Sequence, residues 1–238
     1  MPMTNIDRRT WLAGASALIA TSAHAADAAP DFNYDYLFLD LADAEGTTPA
    51  RAYAEAVKAK LPAIAAAGGE VLGLFTPQIG WVARQAALLV RWGPQARGRD
   101  GEVGGLIRGK TVTFGQREKL AATSRPTPTD KPRPGGIYVH RRFVVKTANV
   151  PEFLALSQEG WRDFETRFEA SIFGLFTADR SSGDVRTGTQ RLLLITRYTD
   201  HGVWEKSRDP TTAAMAAFQR RSAITKDTWN ASTLFVPI

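Results

Sequence analysis

The chain has 238 residues, 44% of them hydrophobic and 23% charged, with a formal net charge of +6 and no cysteine. There is enough apolar material for one large or two small packed domains, while disulfides, thiolate catalysis and Cys-ligated metals are excluded. The positive charge is scattered, with no basic run interleaved with aromatics, so a nucleic-acid-binding surface is excluded as well.

The chain opens with Arg8-Arg9, an apolar stretch over residues 11–20 and then Ala23-His24-Ala25. A charged start, a short apolar middle and a small-x-small end read as a secretory signal peptide over residues 1–25, and Arg8-Arg9 before Trp11-Leu12 resembles the twin-arginine type. The apolar stretch is about half the ~20 residues needed to span a bilayer, so no membrane span is expected after cleavage. The expected location is periplasmic or secreted. Loss of Asp7, Arg8 and Arg9 leaves a formal charge of +6 − (+2 − 1) = +5.

Residues 32–41 alternate apolar and polar side chains and read as a strand. Thr48-Pro49 starts a helix over 49–67, with Tyr53, Val57, Leu61 and Ile64 at helical spacing and Gly68-Gly69 as the stop. Strands follow over 71–76 and 81–92. Residues 93–135 are broken by glycines, with short helical turns and a strand expected over 118–124. Pro126, Pro128, Pro132, Pro134 and Gly135-Gly136 mark residues 126–136 as a linker. The second half reads as a strand (137–146), a helix (151–168), strands (171–177 and 188–198), two helical pieces divided near Asp209-Pro210, and a last strand (229–236).

The two halves are related. Gly73-Leu74-Phe75-Thr76 returns as Gly174-Leu175-Phe176-Thr177, an offset of 174 − 73 = 101. An apolar run ending in Arg and an aromatic follows each copy, Arg91-Trp92 and Arg197-Tyr198, at an offset of 197 − 91 = 106. The difference is a five-residue insertion around Ser181-Ser182-Gly183. Carrying the 101-residue offset upstream pairs residues 36–41 with 137–142 and sets Asp40 against Arg141. Each half is then a β-α-β-β-α-β unit. A sheet with helices on one face needs cover on the other, and two copies can cover each other. The expected fold is α+β: two tandem ferredoxin-like βαββαβ repeats, residues 31–125 and 137–238, forming an intramolecular pseudo-dimeric α+β barrel.

The second half resembles NIPSNAP-type members of the dimeric α+β barrel superfamily. The resemblance rests on Tyr138-Val139-His140-Arg141-Arg142-Phe143-Val144-Val145-Lys146, Pro151-Glu152-Phe153-Leu154, Phe173-Gly174-Leu175-Phe176, the strand ending at Tyr198, and Glu205 and Arg208. In the first half it is carried by Gly73-Leu74-Phe75-Thr76, Gly80, Gln85 and Trp92. The His-Leu-Trp run often found in the family's third strand is replaced by Leu194-Ile195-Thr196 and Leu88-Leu89-Val90, so no histidine role is implied there. Relatives in the superfamily include cofactor-free monooxygenases, haem-handling enzymes, isomerases and plain binding proteins, so the resemblance implies a fold and leaves the activity open.

Gly104-Gly105-Leu106-Ile107-Arg108-Gly109-Lys110-Thr111 has phosphate-loop spacing, but it lacks the preceding apolar strand and following helix that such a loop requires. His140 and His201 are the histidines beyond the leader, at no metal-ligand spacing, so no metal is expected, and no cofactor is specified. Strand alternation places Tyr138, His140 and Arg142 on one face and Val139, Arg141 and Phe143 on the other. The candidate pocket lies between sheet and helices of the second half, with Tyr138, His140, Arg141, Trp161, Arg197 and Tyr198 as its ligand-binding residues. Paired arginine and aromatic groups suit an anionic or aromatic small molecule. In an enzyme, cofactor-free oxygenation or isomerisation of an activated aromatic or enolic substrate would use His140 as base and Arg197 against a developing oxyanion. A non-catalytic interaction module stays open beside these readings, as does the choice between monomer and homo-oligomer.

Overall fold

The computed structural model describes residues 32–96 and 100–238; the expected leader lies outside them. Strands β1 (Asn33–Leu41), β2 (Gly69–Ile79), β3 (Gln85–Trp92) and β4 (Val112–Ala122) belong to the first half, and β5 (Ile137–Lys146), β6 (Ala170–Ala178), β7 (Thr189–Tyr198) and β8 (Thr225–Val236) to the second. They close into one antiparallel barrel in the order β1-β3-β2-β8-β5-β7-β6-β4. Each half contributes its four strands in the same ferredoxin-like order, β4-β1-β3-β2 and β8-β5-β7-β6, and the halves join at two seams, β2 with β8 and β4 with β6. Closure leaves no free sheet edge.

The repeated tetrapeptides are the seam strands. Gly73 and Gly174 each follow a register shift against the neighbouring third strand. Leu74 and Leu175 then point to the outer, helix-covered face, and Phe75 and Phe176 into the barrel. Gly73 sits at φ +150, and a Cβ there would lie 2.0 Å from the Phe235 ring, so the close approach of β8 requires glycine.

Helices α1 (Pro49–Lys58), α2 (Leu61–Ala66) and α3 (Asp100–Ile107) belong to the first half; α4 (Val150–Arg167), α5 (Ser182–Thr187), α6 (His201–Lys206) and α7 (Ala213–Ala223) to the second. The single helix expected over 49–67 is two, because Pro62 has no N–H to donate and its ring crowds the carbonyl of Lys58, where α1 stops. Thr48 caps α1 by accepting from the Arg51 N–H, Asp200 caps α6 from Val203, and Thr212 caps α7 from Met215. The five-residue insertion forms α5, which begins at the Ser181–Asp184 capping box and ends at Gly188 in a left-handed conformation. Residues 81–84, expected to be strand, form the turn between β2 and β3. β4 starts at Val112 rather than 118, and β8 at Thr225 rather than 229. The glycine run at 104–111 covers the end of α3 and the turn into β4, the reverse of the strand-to-helix order of a phosphate loop. Among the described residues no helix is long and apolar enough to cross a membrane.

Three apolar layers result. Leu37, Leu39, Tyr53, Val57 and Leu88 fill the space between the first half's sheet and helices. Val139, Phe153, Trp161, Phe164 and Leu194 occupy the same layer in the second half, and an aromatic plug of Tyr34, Tyr36, Phe75, Tyr138 and Phe176 fills the barrel.

Strand register corrects the pairing of the first strands. Tyr34 lies opposite Arg91 and Tyr138 opposite Arg197, while Leu37 lies opposite Leu88 and Arg141 opposite Leu194. The third strands are offset by 194 − 88 = 106, so the first strands are offset by 141 − 37 = 104. The counterpart of Arg141 is Leu37, not Asp40. The connection between the first and second strands is three residues longer in the first half, which the tetrapeptide offset could not register.

Candidate functional site

The faces of β5 divide the sequence-derived residues between two places. Tyr138 and His140 point into the barrel, where His140 is 2% exposed and its Nδ1 lies 2.9 Å from the Tyr36 Oη. Burial pulls the imidazole from 6.5 down to about 3, helped by the cation of Arg142, so the ring is neutral. Phenol is the better donor and imidazole nitrogen the better acceptor, so Tyr36 donates to Nδ1 and the ring hydrogen sits on Nε2. Nε2 has no hydrogen-bond partner; the rings of Phe75 and Trp81 surround the imidazole, with centroids 4.6 and 5.3 Å away. Tyr138 exchanges hydrogen bonds with the backbone of Arg133, in the segment before β5. Arg197, on the same inner face, donates from Nε to the Gly135 carbonyl at 3.0 Å.

Arg141, Trp161 and Tyr198 face the other way and meet in a cavity of about 310 Å³ between the second half's sheet and helices α4, α6 and α7. Its walls are aromatic: Phe143 on β5, Trp161 and Phe164 on α4, Trp204 on α6 and Phe218 on α7. Its charged groups are Arg141, Arg208 and Arg221, and no Asp or Glu lines it. The Arg141 guanidinium has neither a hydrogen bond nor an ion pair with any described residue. Arg221 is 4% exposed, donates to Ser157 Oγ at 3.1 Å and lies over the rings of Phe143, Phe153 and Phe218 at 5.0, 5.2 and 4.6 Å, without a carboxylate. Burial and the like charge of Arg141 pull it down to about 9, still a cation at neutral pH. Burial holds the Tyr198 phenol above its ordinary value against the pull of Arg141. The buried indole nitrogens of Trp161 and Trp204, two of the wall residues, have no hydrogen-bond partner.

A buried cation without a counter-ion and buried N–H groups without acceptors each cost free energy, and several in one cavity define what would relieve them: an anion with a flat apolar body. Among the described residues, the first half differs at the matching positions. Leu37 replaces Arg141, and the buried charges of Asp35 and Arg91 in its sheet are neutralised: Asp35 accepts from Trp92 Nε1 at 2.6 Å and from Arg117 Nε at 2.6 Å, and Arg91 is paired with Glu70.

Arg221 and Trp204 were not among the sequence-derived site residues. A signal exists for the first: Ala214, Ala217 and Phe218 form the apolar stripe of α7, and Arg221 continues it at helical spacing, so an arginine stands where the helix faces its sheet. Nothing in its local sequence marks Trp204. Among the described residues, no group of three or more His, Asp or Glu side chains is placed to hold a metal ion.

The fold is that of the dimeric α+β barrels, with both ferredoxin-like halves in one chain. No protein-family model matches the sequence, and no curated protein does. Solved structures match it by shape. A chlorite dismutase variant from Candidatus Nitrospira defluvii covers 87% of this chain and 92% of its own at 9% identity and TM-score 0.58. A presumptive monooxygenase from Lactobacillus acidophilus NCFM covers 86% and 93% at 10% identity and TM-score 0.55. An anthrone oxidase-like protein covers 86% and 91% at 15% identity and TM-score 0.52. At these identities the likeness is one of fold. A NIPSNAP domain protein from Burkholderia xenovorans aligns with 43% of this chain and 94% of its own, at 20% identity and TM-score 0.33, and carries no weight beyond that.

Proposed function

We propose that the chain binds a small anionic molecule with an aromatic or similarly flat apolar body, in the cavity between sheet and helices of its second half. The observation that carries this is the combination of three arginines, no lining carboxylate and two partnerless indole N–H groups in one aromatic-walled space. At about 310 Å³ the cavity is at the small end of ligand sites. Export through a twin-arginine-like signal and the NIPSNAP reading of the second half belong to the same proposal, resting on Arg8-Arg9 to Ala25 and on the residues from Tyr138 to Lys146. A protein fraction from the cell exterior beginning at Ala26 would support the export reading, and an intact Met1 there would end it.

A second reading keeps the same cavity and adds turnover. Cations at Arg141 and Arg221 would stabilise a phenolate or enolate, the electron-rich form that cofactor-free oxygenation by molecular oxygen needs. The shape likeness to monooxygenase-type proteins favours this reading over an interaction module.

The test uses 1-naphthoate and its neutral analogue 1-naphthalenemethanol, titrated into the mature protein while tryptophan fluorescence is followed. Naphthoate should saturate and bind at least about tenfold more tightly, since a charge-assisted hydrogen bond adds about 1.5–3 kcal/mol. Equal affinities, or no saturation by either, would overturn the proposal.

A further inference from the structure

A larger cavity, about 720 Å³, opens at one end of the barrel, beyond the aromatic plug and on the opposite side of the sheet from Arg141. Its wall comes from several strands: Gln85 of β3, Glu118 of β4, Arg142 of β5, Arg191 of β7 and Trp229 of β8, joined by Trp81 from the β2–β3 turn. Tyr36, carrying its hydrogen bond to His140, is part of the floor.

The electrostatics differ from those of the outer cavity. Arg142 and Arg191 both clasp Glu118, and Arg191 also donates from Nε to Asp184 at 3.0 Å. The arginines are thus neutralised within the protein, and nothing here calls for an anion. Hydrogen-bonding groups of both senses are left over. Gln85 uses its Oε1 to accept from the Val82 N–H at 2.9 Å, which leaves its NH₂ to spare. The Asp179 carboxylate and the side-chain amide of Gln116, both lining the cavity, make no hydrogen bond or ion pair with any described residue. Two indoles stand among these polar groups. Trp81 is braced edge-on by Phe38 at 5.1 Å, and Trp229, opposite Arg142 in the register, is 47% exposed.

We propose that this barrel end is a second binding site, for a neutral polyhydroxylated molecule of sugar type. Hydroxyls both donate and accept, which matches free amides beside a free carboxylate. The C–H face of a sugar ring is apolar and flat enough to lie on an indole, which gives an exposed tryptophan something to cover it. An anion would lack a free cation, and a purely apolar molecule would strand Asp179 and the amides.

The experiment is saturation-transfer NMR on the mature protein with methyl glucoside, methyl galactoside, methyl mannoside and N-acetylglucosamine, with cyclohexanol and acetate as controls. At least one sugar should bind saturably below about 50 mM, and Trp229→Ala and Asp179→Asn should each weaken it at least about fivefold. Both residues are exposed, so the variants should keep the wild-type thermal midpoint, which is measured alongside. Failure of every sugar to saturate, affinity untouched by both substitutions, or equal binding of either control would overturn the proposal. None of these outcomes depends on the outer cavity.

Discussion

Tyr36 and His140 occupy the same position in the two halves, 140 − 36 = 104 residues apart, and their side chains meet across the barrel, Oη to Nδ1, at 2.9 Å. The contacts around them repeat with the same symmetry. Tyr34 meets Phe176 edge-on at 5.1 Å, and its counterpart Tyr138 meets Phe75 at 5.3 Å. Where the halves differ, as tyrosine against histidine, the difference is turned into a hydrogen bond. This makes the pair a fastener between halves. Tyr36→Phe should cost about 1–2 kcal/mol of unfolding free energy by stranding Nδ1, without changing naphthoate affinity. A variant as stable as the wild type in urea would contradict that role.

Acid should loosen the same fastener. The unfolded chain takes up the His140 proton near pH 6.5, whereas the folded chain, with the ring held down to about 3, does not. Unfolding therefore binds a proton between those values. The contribution is complete above pH 6.5 and is lost as pH falls towards 3, at up to about 1.4 kcal/mol per pH unit. Urea midpoints between pH 6.5 and 5, above the usual carboxylate range, should fall more steeply for the wild type than for His140→Gln. Parallel slopes would show that His140 does not titrate on unfolding.

Arg141 and its counterpart Leu37 predict opposite effects on stability and binding. Arg141 has no counter-ion among the described residues and lowers the pKa of Arg221 by like charge. Arg141→Leu, which copies the first half, should raise stability by about 0.5–1 kcal/mol while weakening naphthoate binding at least about tenfold. Thermal unfolding and fluorescence titration of the one variant check both signs; a loss of both would mean that Arg141 is structural.

Asp35 is 1% exposed and holds both the Trp92 indole and Arg117. Asp35→Ala leaves the Trp92 N–H without its acceptor and takes the carboxylate from Arg117. Because Arg117 is 24% exposed, the cost should fall near the low end for broken buried pairs, about 3 kcal/mol. Denaturant unfolding measures it, and naphthoate affinity should not follow, since the second half's cavity lies elsewhere.

Gly73 tests the seam. Its φ of +150 and the 2.0 Å approach of the Phe235 ring to a would-be Cβ leave alanine strained in backbone and side chain alike. Gly73→Ala should cost about 2–3 kcal/mol, seen as a lower thermal midpoint, whereas Gly104→Ala, with nothing within 4 Å, should not.

The duplicated architecture was legible in the sequence, because period-2 and period-3.6 patterns, caps and a repeated tetrapeptide are local signals. Those signals placed Pro49, the Asp209-Pro210 break and the seam strands, and strand alternation already separated Tyr138 and His140 from Arg141. They did not say which face of β5 the helices would cover. That depends on barrel closure, in which β2 meets β8 and β4 meets β6, contacts between residues more than fifty positions apart. Only closure puts His140 inside the barrel and Arg141 under the helices, sets Leu37 opposite it in the symmetry, and brings Arg221 and Trp204 from α7 and α6 into the same cavity. The chain's own residues determined that two half-barrels would form; the register between them decided which side chains are packing and which are left to bind.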